Sequence, residues 1–286
     1  MKNRETIEIE PLDERHLPAA LNLSEQSHWN QNGQDWRRLF RSSPGGCFGA
    51  FLEGRLVGTV TTSVYGTQLA WIGMMLVDPD YRRRGIGTRL MQAALDQLQR
   101  LGIVAVKLEA TPAGKPLYET LGFRAEGLVE RWEGTVQRRV EIKGPAWEER
   151  FRPSLYGFDR LAFGADRSFL LASLIADSPL APLVALDAKG RLDGFALARP
   201  GRQAFYIGPV AARSPATALA LLDGMLGRLA GEKIYLDFNT TLGLDSEVLA
   251  DRGLVKQRDL TQMALGPESL AGISPLLFGL AGPESG

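Results

Sequence analysis

The sequence predicts an α/β (α+β) protein of two tandem domains, each a mixed, mostly antiparallel sheet flanked by helices. Three observations carry this prediction. Residues 47–77 hold three consecutive strand-like runs with no helix between them, which implies an antiparallel meander. A strand, a glycine loop, a helix and another strand follow over residues 69–110, the pattern of one βαβ unit. The same order of elements returns in the second half, and 286 residues with 44% apolar side chains suffice for two cores.

Each element has a local reason. "TIEIEPL" alternates as a short strand, "DERHLPAALNLSEQ" reads as a helix opened by Asp13, and "QDWRRLFRS" as a second helical piece. "CFGAFLEGRLVGTVTTS" is two alternating runs joined across Glu53 and Gly54, and "LAWIGMMLV" is an apolar run fit for a buried strand. Ile86, Leu90, Ala94, Leu98 and Leu101 then recur at helical spacing until Gly102 stops the pattern. "IVAVKLEA" follows as a strand, and "GKPLYETLG" as a short helix ended by Gly122. "FRAEGLVERWEG" with "VQRRVEIKG" is expected to form a closing hairpin.

"GPAWEERFRPS", with two prolines and mixed charge, is the expected linker, which sets domains at 1–145 and 146–286. Beyond it, residues 182–212 give three strand candidates with glycine turns, "PATALALLDGMLGRLAG" a helix and "KIYLDF" a strand. "SEVLADRGL" stands in the place of "LYETLGF" in the first half. The tail "PLLFGLAGPESG" is too apolar to hang free and is expected to dock in part.

The chemistry concentrates in "VDPDYRRRGIGTRLM", residues 77–91. Gly85 and Gly87 permit backbone conformations and close approaches that a Cβ would block. Free amides where a helix begins, together with the helix dipole, make an anion site, and Arg82, Arg83 and Arg84 can add charge-assisted contacts. The spacing R-x-x-G-x-G matches neither a P-loop nor a dinucleotide fold. By itself the stretch is either a solvated basic turn or a pyrophosphate cradle.

This stretch resembles the acetyl-CoA loop of GNAT N-acetyltransferases, [RQ]-x-x-G-x-[GA], and "PLYETLGF", residues 116–123, resembles the second signature of that superfamily. The resemblance covers roughly residues 5–143, and the fold it implies is a pair of tandem GNAT-like domains. It implies that Leu76 and Val77 offer backbone groups to the pantetheine arm and the acetyl carbonyl. Arg82, Arg83, Arg84, Gly85, Ile86, Gly87 and Thr88 would wrap the pyrophosphate, chiefly by amides. Tyr118 falls on the family's tyrosine, whose hydroxyl can protonate the departing thiolate, or it packs the helix on the sheet. Thr111 stands where many members carry asparagine, and Pro112 and Pro116 stiffen the segment before the tyrosine.

Direct acyl transfer needs a neutral amine and hence a proton acceptor. Glu109 ranks first, ahead of Glu25 and His28, although such residues are more often ordinary surface residues. "SHWNQNGQDW", residues 27–36, brings Trp29 and Asn30 into the region where GNAT proteins shape the acceptor pocket, or else caps a helix. In the second half Ser214 and Pro215 stand where the glycines should be, so this domain reads as degenerate. Asp237, with Asn239, follows a strand there and could reach an acceptor across the domain boundary, or serve a turn.

Composition removes several classes. Lys plus Arg equals Asp plus Glu at 33 each, which leaves no basic field for nucleic acid or an anionic membrane. Cys47 is the only cysteine and reads as a buried apolar residue, so neither an intrachain disulfide nor a thiolate metal cluster is expected. Only His16 and His28 are available as histidine ligands, so no metal is expected. Nothing reads as a signal peptide or membrane helix, and a cytoplasmic protein is expected. The expected activity is acetyl transfer from acetyl-CoA to a small-molecule amine by direct attack in a ternary complex. A noncatalytic acyl-CoA or metabolite sensor and a protein N-acetyltransferase are the alternatives, and a homodimer is left open.

Overall fold

The computed structural model describes residues 6–137, 144–240, 247–267 and 274–286. Strand β1 (Ile7–Pro11) leads into helices α1 (Leu17–Gln26) and α2 (Gly33–Ser42). The meander β2 (Phe48–Leu52), β3 (Arg55–Tyr65) and β4 (Leu69–Val77) follows, then α3 (Ile86–Arg100), β5 (Ala105–Ala110), α4 (Lys115–Thr120) and β6 (Arg124–Thr135). The second half comprises α5 (Arg152–Phe163), α6 (Ser168–Asp177), β7 (Leu183–Leu186), β8 (Leu192–Pro200), β9 (Phe205–Ala212) and α7 (Pro215–Arg228). It continues with β10 (Lys233–Asn239), α8 (Glu247–Ala250), β11 (Val255–Leu265) and β12 (Leu277–Gly279). The stretch read as a linker already turns helical at Arg152, where Pro153 suits a helix's first turn.

All these strands form one sheet, in the order β1-β2-β3-β4-β5-β11-β6-β10-β12-β9-β8-β7. The two halves exchange strands at its centre. β11 pairs with β5 on one side and β6 on the other, while β6 pairs with β11 and β10. The hairpin expected within residues 123–144 therefore has its first arm paired across the halves. Residues 138–143 of its second arm lie outside the described residues.

Helices cover both faces. Ile86, Leu90, Met91, Ala94 and Leu98 of α3, at the predicted spacing, bury against Val57, Val60, Ile72 and Leu108. On the opposite side Leu23, Trp36 and Leu39 of α1 and α2 pack on Leu56, Met74 and Leu76. Cys47 belongs to that cluster, and burial pushes its thiol up to about 12, which removes it as a nucleophile at neutral pH.

The tail docks, as its apolar content requires. Trp71 Nε1 donates to the Pro283 carbonyl at 3.0 Å and the Tyr65 hydroxyl to the Ser285 carbonyl at 2.7 Å. Gln31 Nε2 donates to Glu284 at 2.7 Å, and Arg199 pairs with the same carboxylate. The segment at residues 28–32 is fastened to the turn after β8: Asn30 Nδ2 donates to the Ala204 carbonyl, and its Oδ1 accepts from the Gln203 and Ala204 amides. No helix among the described residues is long and apolar enough to cross a membrane.

Candidate active site

The site begins with a break in the sheet. β4 and β5 run parallel from Leu69 opposite Ala105 to Ile72 opposite Leu108, and then separate. Met74 and Met75 oppose the single residue Val60 in a bulge, with Met74 at φ 47°, and the Thr59 hydroxyl holds the Met74 carbonyl at 2.8 Å. Past this bulge Leu76 and Val77 pair only with β3, so their β5 side opens onto a wedge.

The glycine loop lies at the mouth of that wedge. Gly85, at φ 76°, is the N-cap of α3, and no side chain caps the helix. The first amides of α3 are thus left without an intrahelical or side-chain acceptor, which is the arrangement that suits an anion. Arg83 is also left-handed, at φ 60°, a conformation that costs a non-glycine residue about 1 kcal/mol or more. Arg82 Nε donates to the Val77 carbonyl at 3.0 Å, tying the loop to the end of β4.

A cavity of about 640 Å³ runs from this loop to the exchanged strands. Leu76, Val77, Arg82, Arg83, Gly85, Ile86, Gly87 and Thr88 line it, as do Tyr118, Glu109 and Trp29. Arg84 does not: its guanidinium lies 5.1 Å from the Tyr81 ring centroid and donates to the Asp80 carbonyl. Asn30 is spent on the backbone of the other half, and Asp237 stands behind the wall of the cavity. His28 is a backbone contact, accepting from Gln203 Nε2.

Two wall residues are buried titratable groups. Tyr118 is buried against Phe123, and burial pushes its phenol up to about 12, so the hydroxyl keeps its proton through the neutral range. Both Glu109 oxygens are shielded from solvent and have no hydrogen-bond partner among the described residues. Burial holds this carboxyl well above the usual range, Asp237 and Glu284 adding to the effect and Arg131 and Arg258 opposing it. Thr111, also on the wall, caps the turn into α4, its Oγ1 accepting from the Gly114 amide at 3.2 Å.

Sequence reasoning missed the far end. Gln31, Arg131, Arg258, Leu260 and Pro283 close it. Arg131 is buried and held by Asp237, with Nε to Oδ1 at 2.6 Å and Nη2 to Oδ2 at 2.5 Å, while the Tyr206 hydroxyl donates to the same Oδ2 at 2.8 Å. Asp237 is therefore a positioning group for Arg131. The available signal was an arginine on each strand at an inward-alternating position, Val129/Arg131 and Arg258/Leu260.

The second half repeats the break and closes it. β9 and β10 run parallel from Phe205 opposite Ile234 to Ile207 opposite Leu236. β12 then enters between them, Gly279 meeting Val210 on one side and Phe238 on the other. α7 carries its own cap, the Ser214 side chain accepting from the Thr217 amide at 3.1 Å. Among the described residues this half thus has its wedge filled, and the start of α7 offers fewer amides, Pro215 having none and Ser214 taking that of Thr217. Among the described residues no cluster of three or more His, Cys, Asp or Glu could hold a metal ion.

Comparison with known proteins agrees with this duplication. Residues 9–123 match the model of the acetyltransferase (GNAT) family, and residues 155–279 match an acetyltransferase (GNAT) domain. The chain is 29% identical over 231 residues to the uncharacterized N-acetyltransferase YitH of Bacillus subtilis, covering 79% of each. The alanine N-acetyltransferase of ribosomal protein bS18 from Escherichia coli is 28% identical over 46% of this chain and 91% of its own length. A solved structure from Pyrococcus horikoshii, assigned as an acetyltransferase, superposes over 100% of this chain and 98% of its own, with a TM-score of 0.79 at 22% identity, a likeness of fold.

Proposed function

The chain is a two-domain member of the acetyltransferase (GNAT) family and an acyltransferase, and we propose that its first half transfers an acetyl group from acetyl-CoA to the amine of a small molecule. The observation that carries this reading is the contrast between the two wedges: one is open, uncapped and lined by Tyr118 and Glu109, and the other is filled by β12. Acetyl-CoA would supply the activated thioester.

The residues have separate tasks. The amides of residues 85–88 hold the pyrophosphate, with Arg82 and Arg83 adding charge at the rim. Leu76 and Val77 line the pantetheine path with their backbone. Glu109 takes the proton that an ammonium acceptor must lose before its nitrogen can attack. Tyr118 holds a proton for the departing sulfur, its phenol staying protonated through the neutral range. A small acceptor is supported by the tail and the 28–32 segment, since Pro283, Gln31 and Trp29 wall the far end.

Thiol release from acetyl-CoA over a panel of amines tests the reading. Turnover with small amines and none with peptide N-termini is the expected result. Binding of acetyl-CoA without turnover of any amine would leave a sensor instead, and turnover of peptides alone would favour a protein substrate.

A further inference from the structure

Resting on the acetyl-transfer reading above, we propose that the acceptor carries a carboxylate as well as an amine, and that Arg131 and Arg258 grip that carboxylate while the amine meets Glu109.

The sheet register brings these groups together. Arg258 of β11 lies directly opposite Arg131 of β6, and Gln262, four residues on, lies opposite Glu109 of β5. Arg131, Arg258, Leu260 and Glu109 thus share one face, and all four line the cavity. Like charges directly opposite each other on neighbouring strands are destabilising. One of the two is compensated: Asp237 takes Nε and Nη2 of Arg131, and Tyr206 saturates it further.

Arg258 has no such partner. It is half-buried, its Nε is shielded from solvent without a hydrogen bond, and no carboxylate among the described residues pairs with it. A partly desolvated guanidinium beside a second one, at the closed end of a cavity, calls for an anion with two oxygens. The pyrophosphate site is elsewhere, since β6 stands three strands from β4, about 14 Å across the sheet. Arg258 and the residue opposite Glu109 are about 13 Å apart along β11, a span bridged by two long side chains and a short amino acid.

Recognition of this kind makes acceptor choice a joint product of both halves, because β11 belongs to the second. A site built for a carboxylate also rejects its uncharged analogue strongly, since the guanidinium would be left without a partner.

The test uses the whole protein with α- and ω-amino acids of increasing length, each paired with its carboxamide. Thiol release should favour the free acids at least tenfold in kcat/KM. Arg258→Gln should bring that ratio close to one without changing the Kd for acetyl-CoA, which also verifies that the variant folds. Equal use of acids and amides by the unaltered protein, or an undiminished preference in Arg258→Gln, would overturn the proposal. If no amine is acetylated at all, the acetyl-transfer reading fails, and binding decides the proposal separately. A free acid that raises the Tm of the CoA-loaded protein, but not of its Arg258→Gln variant, supports it; no difference between acids and amides sinks it.

Discussion

The backbone of Glu284 occupies the space that a side chain on Gly73 would need. A Cβ built at Gly73 would stand 2.6 Å from the Glu284 Cα and 2.7 Å from its carbonyl oxygen. The docked tail and the sheet beside the wedge are thus fitted backbone to backbone. Gly73→Ala should push the tail out, at a cost of about 1–3 kcal/mol. Hydrogen exchange should rise at residues 280–286, and Trp71, which donates to Pro283, should change its fluorescence. Unchanged protection of the tail would contradict this fit.

The pyrophosphate prediction separates amides from arginines. An added Cβ at Gly87 would meet only the ends of Met75 and Leu117, at 3.2 and 3.4 Å, so Gly87→Glu should fold. Its carboxylate would stand against the phosphates, and binding of acetyl-CoA should fall below detection by calorimetry. Arg83 is exposed, and Arg83→Ala should weaken binding by about 2- to 5-fold, the scale of an exposed ion pair. The reverse order would place the affinity in the arginines.

Glu109 should set the rising limb of the pH profile. A base works deprotonated and this carboxyl is held high, so turnover should climb with pH above the ordinary carboxylate range. Glu109→Gln should lower turnover and flatten that limb. Stability runs the other way: with the folded pKa raised, the stability contributed by the neutral carboxyl is full below the unfolded value and lost as pH rises through the folded one. The gain in Tm of Glu109→Gln over the unaltered protein should therefore grow with pH, and a gain that stays flat or shrinks would mean that the fold does not raise this carboxyl.

Tyr118→Phe removes the donor and little volume. We expect kcat to fall by about 10²-fold or more, the usual contribution of general acid catalysis, with the Kd for acetyl-CoA unchanged. A Phe variant at full turnover would reduce Tyr118 to a packing residue against Phe123.

Calorimetry should give one acetyl-CoA per chain. Rebuilding residues 213–216 as a glycine loop should not add a second, because β12 still fills the wedge between β9 and β10. A stoichiometry of two would show that the strand yields to the ligand.

The glycine loop was legible because its conformation is imposed by residues adjacent in sequence: Gly85 takes φ 76° and α3 begins at the next residue. Helices and strands of the first half were legible for the same reason, each periodicity being local. The far end of the cavity was not, because Arg131 and Arg258 meet only through pairing between strands on either side of the expected linker. Asn30 and Asp237 show the limit from the other direction. Each is a polar residue near the site, but a buried amide can serve a ligand or a neighbouring turn equally well, and Asn30 serves Gln203 and Ala204. α5 escaped notice because its start, at Arg152, lies within a charged, proline-bearing stretch.

The exchange of β6 and β11 also sets an order of events during synthesis. Residues up to Ala110 can leave the ribosome and pack around α3, but the strand that flanks β5 is not made until residues 255–265, and Pro283 comes later still. Until then the first half carries an unpaired strand edge and half a binding chamber. The walls of the wedge are brought together only once residues 255–265 and Pro283 have been added.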